Sequence, residues 1–383
     1  MNRPLCACPA VLRAGAAVLL ALPALVGARP EDPPRPGPQD GAAPDEVRRR
    51  FERLDRNGDG RITPDELPRP ALFRALDRDG DGAITLDEAR SLQGPDQPEG
   101  DRRQPKLPPE VPLQVERDVA YFHADGAPQR LLSLDVYAPT SPGPHPVLVF
   151  VHGGAWRTGD KRNAACWEAK SRCFVARGYV FVGVNYRLSP AVKHPTHVED
   201  LARALRWVRA EIGKRGGDPA QVFLMGHSAG AHLVALVATD ERRLAAVGES
   251  LASLRGVVVL DTAALDPENA QDEQRFYEVA FGERATWADA APLRFVAKDK
   301  HIPPFLVLHT PRKTSSVASR RFVEALRAAQ VPAAAVLAPD RDHGGLNRCI
   351  GEPDDPYTAL VLRFLERPTE ANGLRLKDAP APR

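Results

Sequence analysis

Apolar residues between positions 113 and 368 follow two alternating patterns. Continuous apolar runs, typical of strands buried on both faces, occur at 147–151, 180–184, 222–225, 257–260, 305–309 and 334–337. Between them, apolar positions three or four residues apart predict helices, for example at 198–212 and 316–329. This alternation predicts an α/β fold: a doubly wound, mostly parallel sheet with helices on both faces.

Composition divides the rest of the chain. Residues 14–26 are apolar, basic residues stand at Arg3 and Arg13, and small residues follow at 26–28, which is the pattern of a signal peptide. We therefore expect a secreted or periplasmic protein. The predicted segments are a signal peptide at 1–28, a Pro-rich linker at 29–46, a small all-α unit at 47–92, a second linker at 93–112, the α/β domain at 113–368 and a disordered tail at 369–383.

Charge and cysteine content limit the partners. The 52 basic and 50 acidic residues give a net charge of +2, which argues against nucleic acid as a partner. The N-terminal apolar run is too short to span a bilayer of about 30 Å, so no membrane span is predicted. Cys166 and Cys173 lie too far apart along one predicted helix to form a disulfide. A bond from Cys349 to one of them and three buried thiols are the two alternatives.

The sequence does not indicate the oligomeric state.

Two acidic near-repeats, at 55–66 and 77–88, match the twelve-residue EF-hand loop. Each has oxygen-bearing side chains at positions 1, 3, 5 and 12, a glycine at 6 and a backbone carbonyl ligand at 7, which suits Ca²⁺. The predicted ligands are Asp55, Asn57, Asp59, Arg61 and Glu66 in the first loop and Asp77, Asp79, Asp81, Ala83 and Glu88 in the second. Two prolines interrupt the short connection between the loops, which favours structural calcium over a large switching motion.

A candidate nucleophile lies at 226–230, where Gly-His-Ser-Ala-Gly joins a predicted strand to a predicted helix. A serine at such a corner adopts a strained backbone that projects its hydroxyl out of the sheet, and the flanking glycines leave room for it. Upstream, His-Gly-Gly-Ala-Trp at 152–156 follows another strand. The amides of Gly153, Gly154 and Ala229 could stabilise a developing oxyanion. This combination predicts acyl transfer through Ser228.

With Asn-Tyr-Arg-Leu at 185–188 and Gly-Asp-Pro at 217–219, these motifs resemble the α/β-hydrolase superfamily. Within it they resemble the carboxylesterase and feruloyl-esterase-like branch related to hormone-sensitive lipase. The resemblance covers about 115–366. It implies a serine carboxylesterase that needs no cofactor and acts on a small-molecule or polysaccharide-linked ester.

The general base and the acid of a serine hydrolase are expected after the nucleophile in the chain. His343 follows the last predicted strand and is the candidate base. The resemblance implies an acid directly after His309, yet 310–316 contains no carboxylate. Asp261, which ends the preceding strand, is the favoured candidate, and Asp266 is the second. A Ser228–His343 dyad and an impaired enzyme are the remaining alternatives.

A rival function follows from the missing acid. The chain could be a calcium-binding scaffold or binding protein that carries a catalytically impaired hydrolase domain. An amidase or peptidase would use the same residues as the esterase.

Overall fold

The computed structural model describes residues 51–67, 73, 82–86, 89, 106–270 and 273–376. The chain divides into two compact units, Met1–Pro98 and Glu99–Arg383. The predicted signal peptide, the first linker, residues 93–105 of the second linker and residues 377–383 of the tail lie outside the described residues. In the part of the chain that is described, no helix combines the length and the apolar character needed to cross a membrane.

The larger unit contains an eight-stranded sheet in the order β10-β9-β8-β7-β5-β6-β4-β3. Its strands are β3 (Leu113–Ala120), β4 (Ser133–Pro139), β5 (His145–Val151), β6 (Val180–Val184), β7 (Gly217–His227), β8 (Leu254–Leu260), β9 (Phe305–His309) and β10 (Ala333–Leu337). The pairs from β6 through β5 to β10 are parallel, and β4 pairs antiparallel with both β3 and β6.

Helices cover both faces of the sheet. They are α1 (Ala164–Val175), α2 (Thr196–Glu211), α3 (Ala229–Val237), α4 (Glu241–Ala245), α5 (Gln274–Phe281), α6 (Lys313–Ala328), α7 (His343–Cys349) and α8 (Pro356–Glu366). One apolar core contains residues of α2, α3 and α6, and the other contains residues of α1 and α8. All six predicted strands and both predicted helices are present, because each has enough apolar residues for the faces it buries.

The first two strands of this sheet were not predicted. β3 is an edge strand with an exposed, charged middle, so its sequence has no apolar run. β4 contains Asp135, which is buried and lies 2.8 Å from Arg162 Nε and 3.4 Å from Lys161 Nζ. A buried, ion-paired aspartate breaks the sequence pattern of a strand without breaking the strand.

Two segment boundaries differ from those predicted. Residues 368–373, mostly assigned to the disordered tail, form a 3₁₀ turn in which Ala371 is buried. The Asn372 Oδ1 accepts a hydrogen bond of 3.0 Å from the Ala333 amide. In the second linker, the Lys106 amide donates to Glu352 Oε1 at 3.1 Å. The packed unit therefore extends beyond 113–368 at both ends, because short apolar and hydrogen-bonding contacts hold these segments.

The smaller unit has its own apolar cluster, formed by Phe51, Ile62, Leu67, Phe73, Ile84 and Ala89. Its two short strands, β1 (Arg61–Ile62) and β2 (Ile84–Thr85), pair antiparallel, with Ile62 opposite Ile84. Each strand carries the residues after the turn of one acidic repeat. The two repeats are thus joined through their loops.

Candidate active site and calcium loops

Ser228 occupies the corner between β7 and α3. Its backbone has φ 55° and ψ −117°, a conformation that is strained for a residue other than glycine. A Cβ on Gly226 would lie 2.3 Å from the carbonyl oxygen of Gly230, and a Cβ on Gly230 would lie 2.1 Å from that of Val151. Only glycine fits at either place, so the corner holds Ser228 by close backbone packing.

The loop after β5 packs directly against this serine. A Cβ on Gly153 would lie 3.0 Å from Ser228 Cβ. Positive φ angles at Gly154 (117°), Ala155 (51°) and Trp156 (59°) turn the loop sharply. Ala229, which follows Ser228 directly and is the first residue of α3, is buried. The three predicted oxyanion donors therefore all lie in segments that adjoin the serine.

His343 is the first residue of α7, and Asp342 caps the helix by accepting a hydrogen bond from the Gly345 amide. The His343 ring lies 4.5 Å, between centroids, from the ring of His227, the residue before Ser228. His227 Nε2 also donates to the His343 carbonyl at 2.8 Å. These contacts place the predicted base against the residue that precedes the predicted nucleophile.

Asp261 is the carboxylate that meets this imidazole. Its Oδ2 lies 2.6 Å from His343 Nδ1. Asp266, the second candidate, forms an ion pair with Arg321 and accepts hydrogen bonds from Asn269. The Asp340 carboxylate pairs with Arg341. The geometry thus favours Asp261 over the other acids that the sequence offered.

The loop that lacks a carboxylate supplies hydrogen-bond donors to Asp261. The Thr310 amide and hydroxyl donate at 2.9 and 3.0 Å, and the Ser315 hydroxyl donates at 2.7 Å. Burial raises the pKa of Asp261, but the hydrogen bond from His343, the charge of Arg312 and the Thr310 amide outweigh it and hold the pKa well below its usual range. Asp261 is therefore ionised at neutral pH.

Sequence reasoning missed the residues that support this acid, namely Thr310, Arg312, Ser315 and Glu273. In the sequence, the loop 310–316 differs from the expected pattern by its lack of a carboxylate. Its hydroxyls and its arginine were the available signal, because a buried carboxylate needs donors nearby.

Three other histidines near the motifs, His152, His232 and His309, are buried. His152 Nδ1 lies 2.8 Å from the Gly153 carbonyl, and burial lowers its pKa to about 4. His232 Nε2 donates to the Ala290 carbonyl, and burial lowers the pKa of His232 to about 3. His309 is buried beside Thr310. Trp156 is 3% exposed, and its Nε1 donates to His232 at 3.2 Å, so it belongs to the core rather than to a pocket wall.

The three described cysteines are buried and form no disulfide with one another. Cys166 and Cys173 lie on α1 and Cys349 lies at the end of α7. Of the two sequence alternatives, the structure has the buried thiols.

The first acidic loop is folded around its own carboxylates. Asp55 accepts hydrogen bonds from the amides of Gly58 and Gly60 at 2.8 Å. Glu66 is 7% exposed and turns back into the loop, where it accepts from the Arg56 and Thr63 amides at 2.9 and 2.8 Å. These hydrogen bonds, led by that from Thr63, lower the pKa of Glu66. The carboxylates of Asp55 and Glu66 are therefore both turned toward the backbone of the same loop.

This donor set suits a hard cation. Asn57 and Asp59 are the other two predicted side-chain ligands of the first loop, and Asn57 Nδ2 donates to Asp59 Oδ2. Gly60, at the turn, has a φ of 80°. No three His, Cys, Asp or Glu side chains among the described residues form a metal cluster by themselves. An EF-hand site also draws on an amide oxygen and the Arg61 carbonyl. Of the five predicted ligands in the second loop, Ala83 lies among the described residues, whereas Asp77, Asp79, Asp81 and Glu88 lie outside them.

Comparison with known proteins agrees with this geometry. Residues 134–321 match the BD-FAE family model. This region is an α/β-hydrolase domain of the BD-FAE family. Residues 47–69 and 71–92 match the EF hand model, so the smaller unit carries two EF-hand motifs.

The BD-FAE domain is similar in sequence to curated esterases. Esterase LipC of Mycobacterium tuberculosis is 32% identical over 246 residues, covering 60% of this chain and 59% of LipC. Esterase LipQ of the same organism is 34% identical over 229 residues, covering 55% of this chain and 52% of LipQ. This chain thus spans little more than half the length of either relative.

Solved structures show the same fold. Esterase B from Lactobacillus rhamnosis superposes with a TM-score of 0.57 at 22% identity, covering 70% of this chain and 89% of that one. A truncated carbohydrate esterase from gut microbiota gives 0.58 at 19% identity, covering 67% and 96%. These likenesses confirm the predicted fold class.

Proposed function

We propose that the protein is an exported serine esterase that cleaves carboxylic esters through an acyl-enzyme on Ser228. The observation that carries this proposal is the chain of contacts from Asp261 through the His343 ring to the Ser228 corner, with Gly153 packed against the serine. Similarity to curated esterases supports the same reaction class.

Each residue has a defined step. His343 Nε2, the nitrogen that does not face Asp261, takes the proton as the Ser228 hydroxyl attacks the ester carbonyl. The amides of Gly153, Gly154 and Ala229 hold the oxyanion, and Asp261 fixes the tautomer of the imidazole and stabilises its charged form. The same imidazole then protonates the leaving alcohol. It finally activates the water that releases the acid.

The test is hydrolysis of p-nitrophenyl acetate by the purified chain. We expect Ser228→Ala to lower kcat by at least about 10⁴-fold while the melting temperature stays close to that of the wild type. A fluorophosphonate probe should label the wild type and leave the variant unlabelled. Equal turnover by both proteins would remove Ser228 from the mechanism.

The rival function, a scaffold with an impaired hydrolase domain, rested on the missing acid. The Asp261–His343 contact of 2.6 Å argues against it. Failure of the wild type to react with the probe would restore the rival. We propose small esters as substrates, including esters attached to polysaccharides. Comparing p-nitrophenyl acetate with an acetylated polysaccharide distinguishes these two substrates.

We further propose that the EF-hand unit binds Ca²⁺ for structural purposes. Asp55, Asn57, Asp59, the Arg61 carbonyl and Glu66 would hold one ion, and the corresponding residues of 77–88 would hold another. Bound calcium supplies charge neutralisation to the clustered carboxylates. Chelation with EGTA should lower the melting temperature of this unit and leave ester hydrolysis nearly unchanged. A large loss of hydrolysis on chelation would instead indicate regulation.

Export is proposed on the pattern at 1–28 alone. N-terminal sequencing of the protein recovered from the producing cells tests it: a mature terminus near residue 29 is expected, whereas an intact Met1 would contradict export through a cleaved signal.

A further inference from the structure

Arg312 brings a cation to the imidazole from the loop after β9. Its Nη1 lies 3.3 Å from Asp261 Oδ2 and 2.9 Å from His343 Nδ1. Its Nη2 donates to the carboxylate of Glu273, the residue before α5. The guanidinium is thus held between two carboxylates, with the imidazole beside it.

Two groups meet at the same ring nitrogen. Asp261 needs a proton on Nδ1 to accept its hydrogen bond, whereas Arg312 could donate only to an unprotonated Nδ1. Because Asp261 is ionised, the proton belongs on Nδ1, and the Arg312 N–H groups serve the two carboxylates. A cation 2.9 Å from a protonated ring nitrogen then opposes further protonation of the ring.

We propose that Arg312 and Glu273 form a positioning pair that sets the basicity of His343: Arg312 holds Asp261 in place and opposes the imidazolium, and Glu273 offsets that cation. The proposal rests on the proposed function, since it assigns His343 as the base. Neither residue touches the reacting atoms. Both act through the imidazole.

The other charged or titratable groups near the imidazole do not provide this balance. From β7, His227 is buried, and burial, together with the charge of His343, keeps its pKa well below the usual range, so it is neutral. On the segment of His343 itself, Asp342 bonds the Gly345 amide, and Arg341 pairs with Asp340 and Asp355. Arg312 contacts both Asp261 and His343, and Glu273 pairs with Arg312, so we chose this pair for testing the field at His343.

The experiment measures how the acidic limb of kcat/KM depends on pH, since this limb reports the protonation of the base in the free enzyme. Glu273→Gln leaves the Arg312 charge without its partner, so the limb should move to lower pH by about one unit. Arg312→Gln removes the cation beside the ring and leaves the negative charges of Asp261 and Glu273, so the limb should move to higher pH by about one unit. Arg312→Lys keeps the charge and should restore most of the wild-type profile.

Glu116→Gln is the matched control. Glu116 pairs with Arg215 at 2.6 Å on the edge strand β3, away from the β8 and β9 strand ends. Glu116→Gln removes one negative charge from an Arg–Glu ion pair, as Glu273→Gln does. We expect it to leave the acidic limb of kcat/KM unshifted. If Arg312→Gln does not fold, Glu273→Gln decides the question by itself.

A second readout does not depend on activity. An NMR titration of the His343 ring in the wild type, Glu273→Gln and Arg312→Gln should show the same two opposite shifts. Opposite shifts support the proposal; no shift, or two shifts in one direction, overturns it and leaves Arg312 as a structural ligand of Asp261. If the ring titrates as expected but no ester is hydrolysed, the proposed function fails and the electrostatic pair stands.

Discussion

Glycines close to Ser228 in sequence shape its corner, whereas the side-chain and amide donors to Asp261 come from residues far away in the chain. The serine corner is defined by glycines two positions before and two after it, each packed against backbone. The donors to Asp261 come from Thr310 and Ser315, 49 and 54 positions later. A motif can therefore specify a nucleophile, while the acid depends on which strand ends meet in the folded sheet.

The largest effect expected from this comparison is at the acid. Asp261→Asn should lower kcat by about 10⁴-fold, because an amide cannot hold the imidazole in its required tautomer or stabilise its charged form. Assays of p-nitrophenyl acetate hydrolysis at neutral pH provide the measurement.

Asp266→Asn is the control for that change, since Asp266 pairs with Arg321 rather than with His343. It should retain most of the activity. If the two variants exchanged their outcomes, the acid would be Asp266.

A substitution at the glycines of the serine corner should destabilise the fold by steric overlap. Gly230→Ala adds a methyl group that would lie 2.1 Å from the Val151 carbonyl oxygen. We expect a loss of about 3 kcal/mol in the free energy of unfolding, or failure to fold, even though alanine favours a helix. Urea denaturation followed by circular dichroism measures it.

Gly213→Ala is matched to that change, because a Cβ there would have no atom within 4 Å. This variant should be as stable as the wild type or slightly more so. Equal behaviour of the two alanine variants would show that the corner is not held by backbone contact.

The smallest effect concerns one donor among several. Ser315→Ala removes the 2.7 Å hydrogen bond to Asp261 Oδ1 and leaves both Thr310 donors. We expect the activation free energy to rise by about 1 kcal/mol, which lowers kcat by roughly tenfold at most.

Ser319→Ala on the same helix is its control, since the Ser319 hydroxyl is buried without a hydrogen-bond partner among the described residues. Activity there should be unchanged. An equal loss in both variants would point to helix packing instead of support for the acid.

The sequence predicts the features that depend on neighbouring residues better than the features that depend on contacts between distant segments. Strands β5 to β10 were predicted because each is an apolar run, and Ser228 and the EF-hand ligands because their spacing is fixed within one loop. β3 was missed because its exposed positions carry charge, and β4 because it buries Asp135. The choice between Asp261 and Asp266 needed the distance to His343, which depends on two separate loops.

One backbone contact links the two regions. The Ser228 amide donates to the Leu260 carbonyl at 3.0 Å, and Leu260 immediately precedes Asp261. Ser228 and Asp261 therefore lie at the ends of two hydrogen-bonded strands, β7 and β8, and should move together as the temperature rises. The His343 ring lies on a separate segment, after β10. Heat inactivation that comes ahead of global melting should accordingly begin with displacement of that ring.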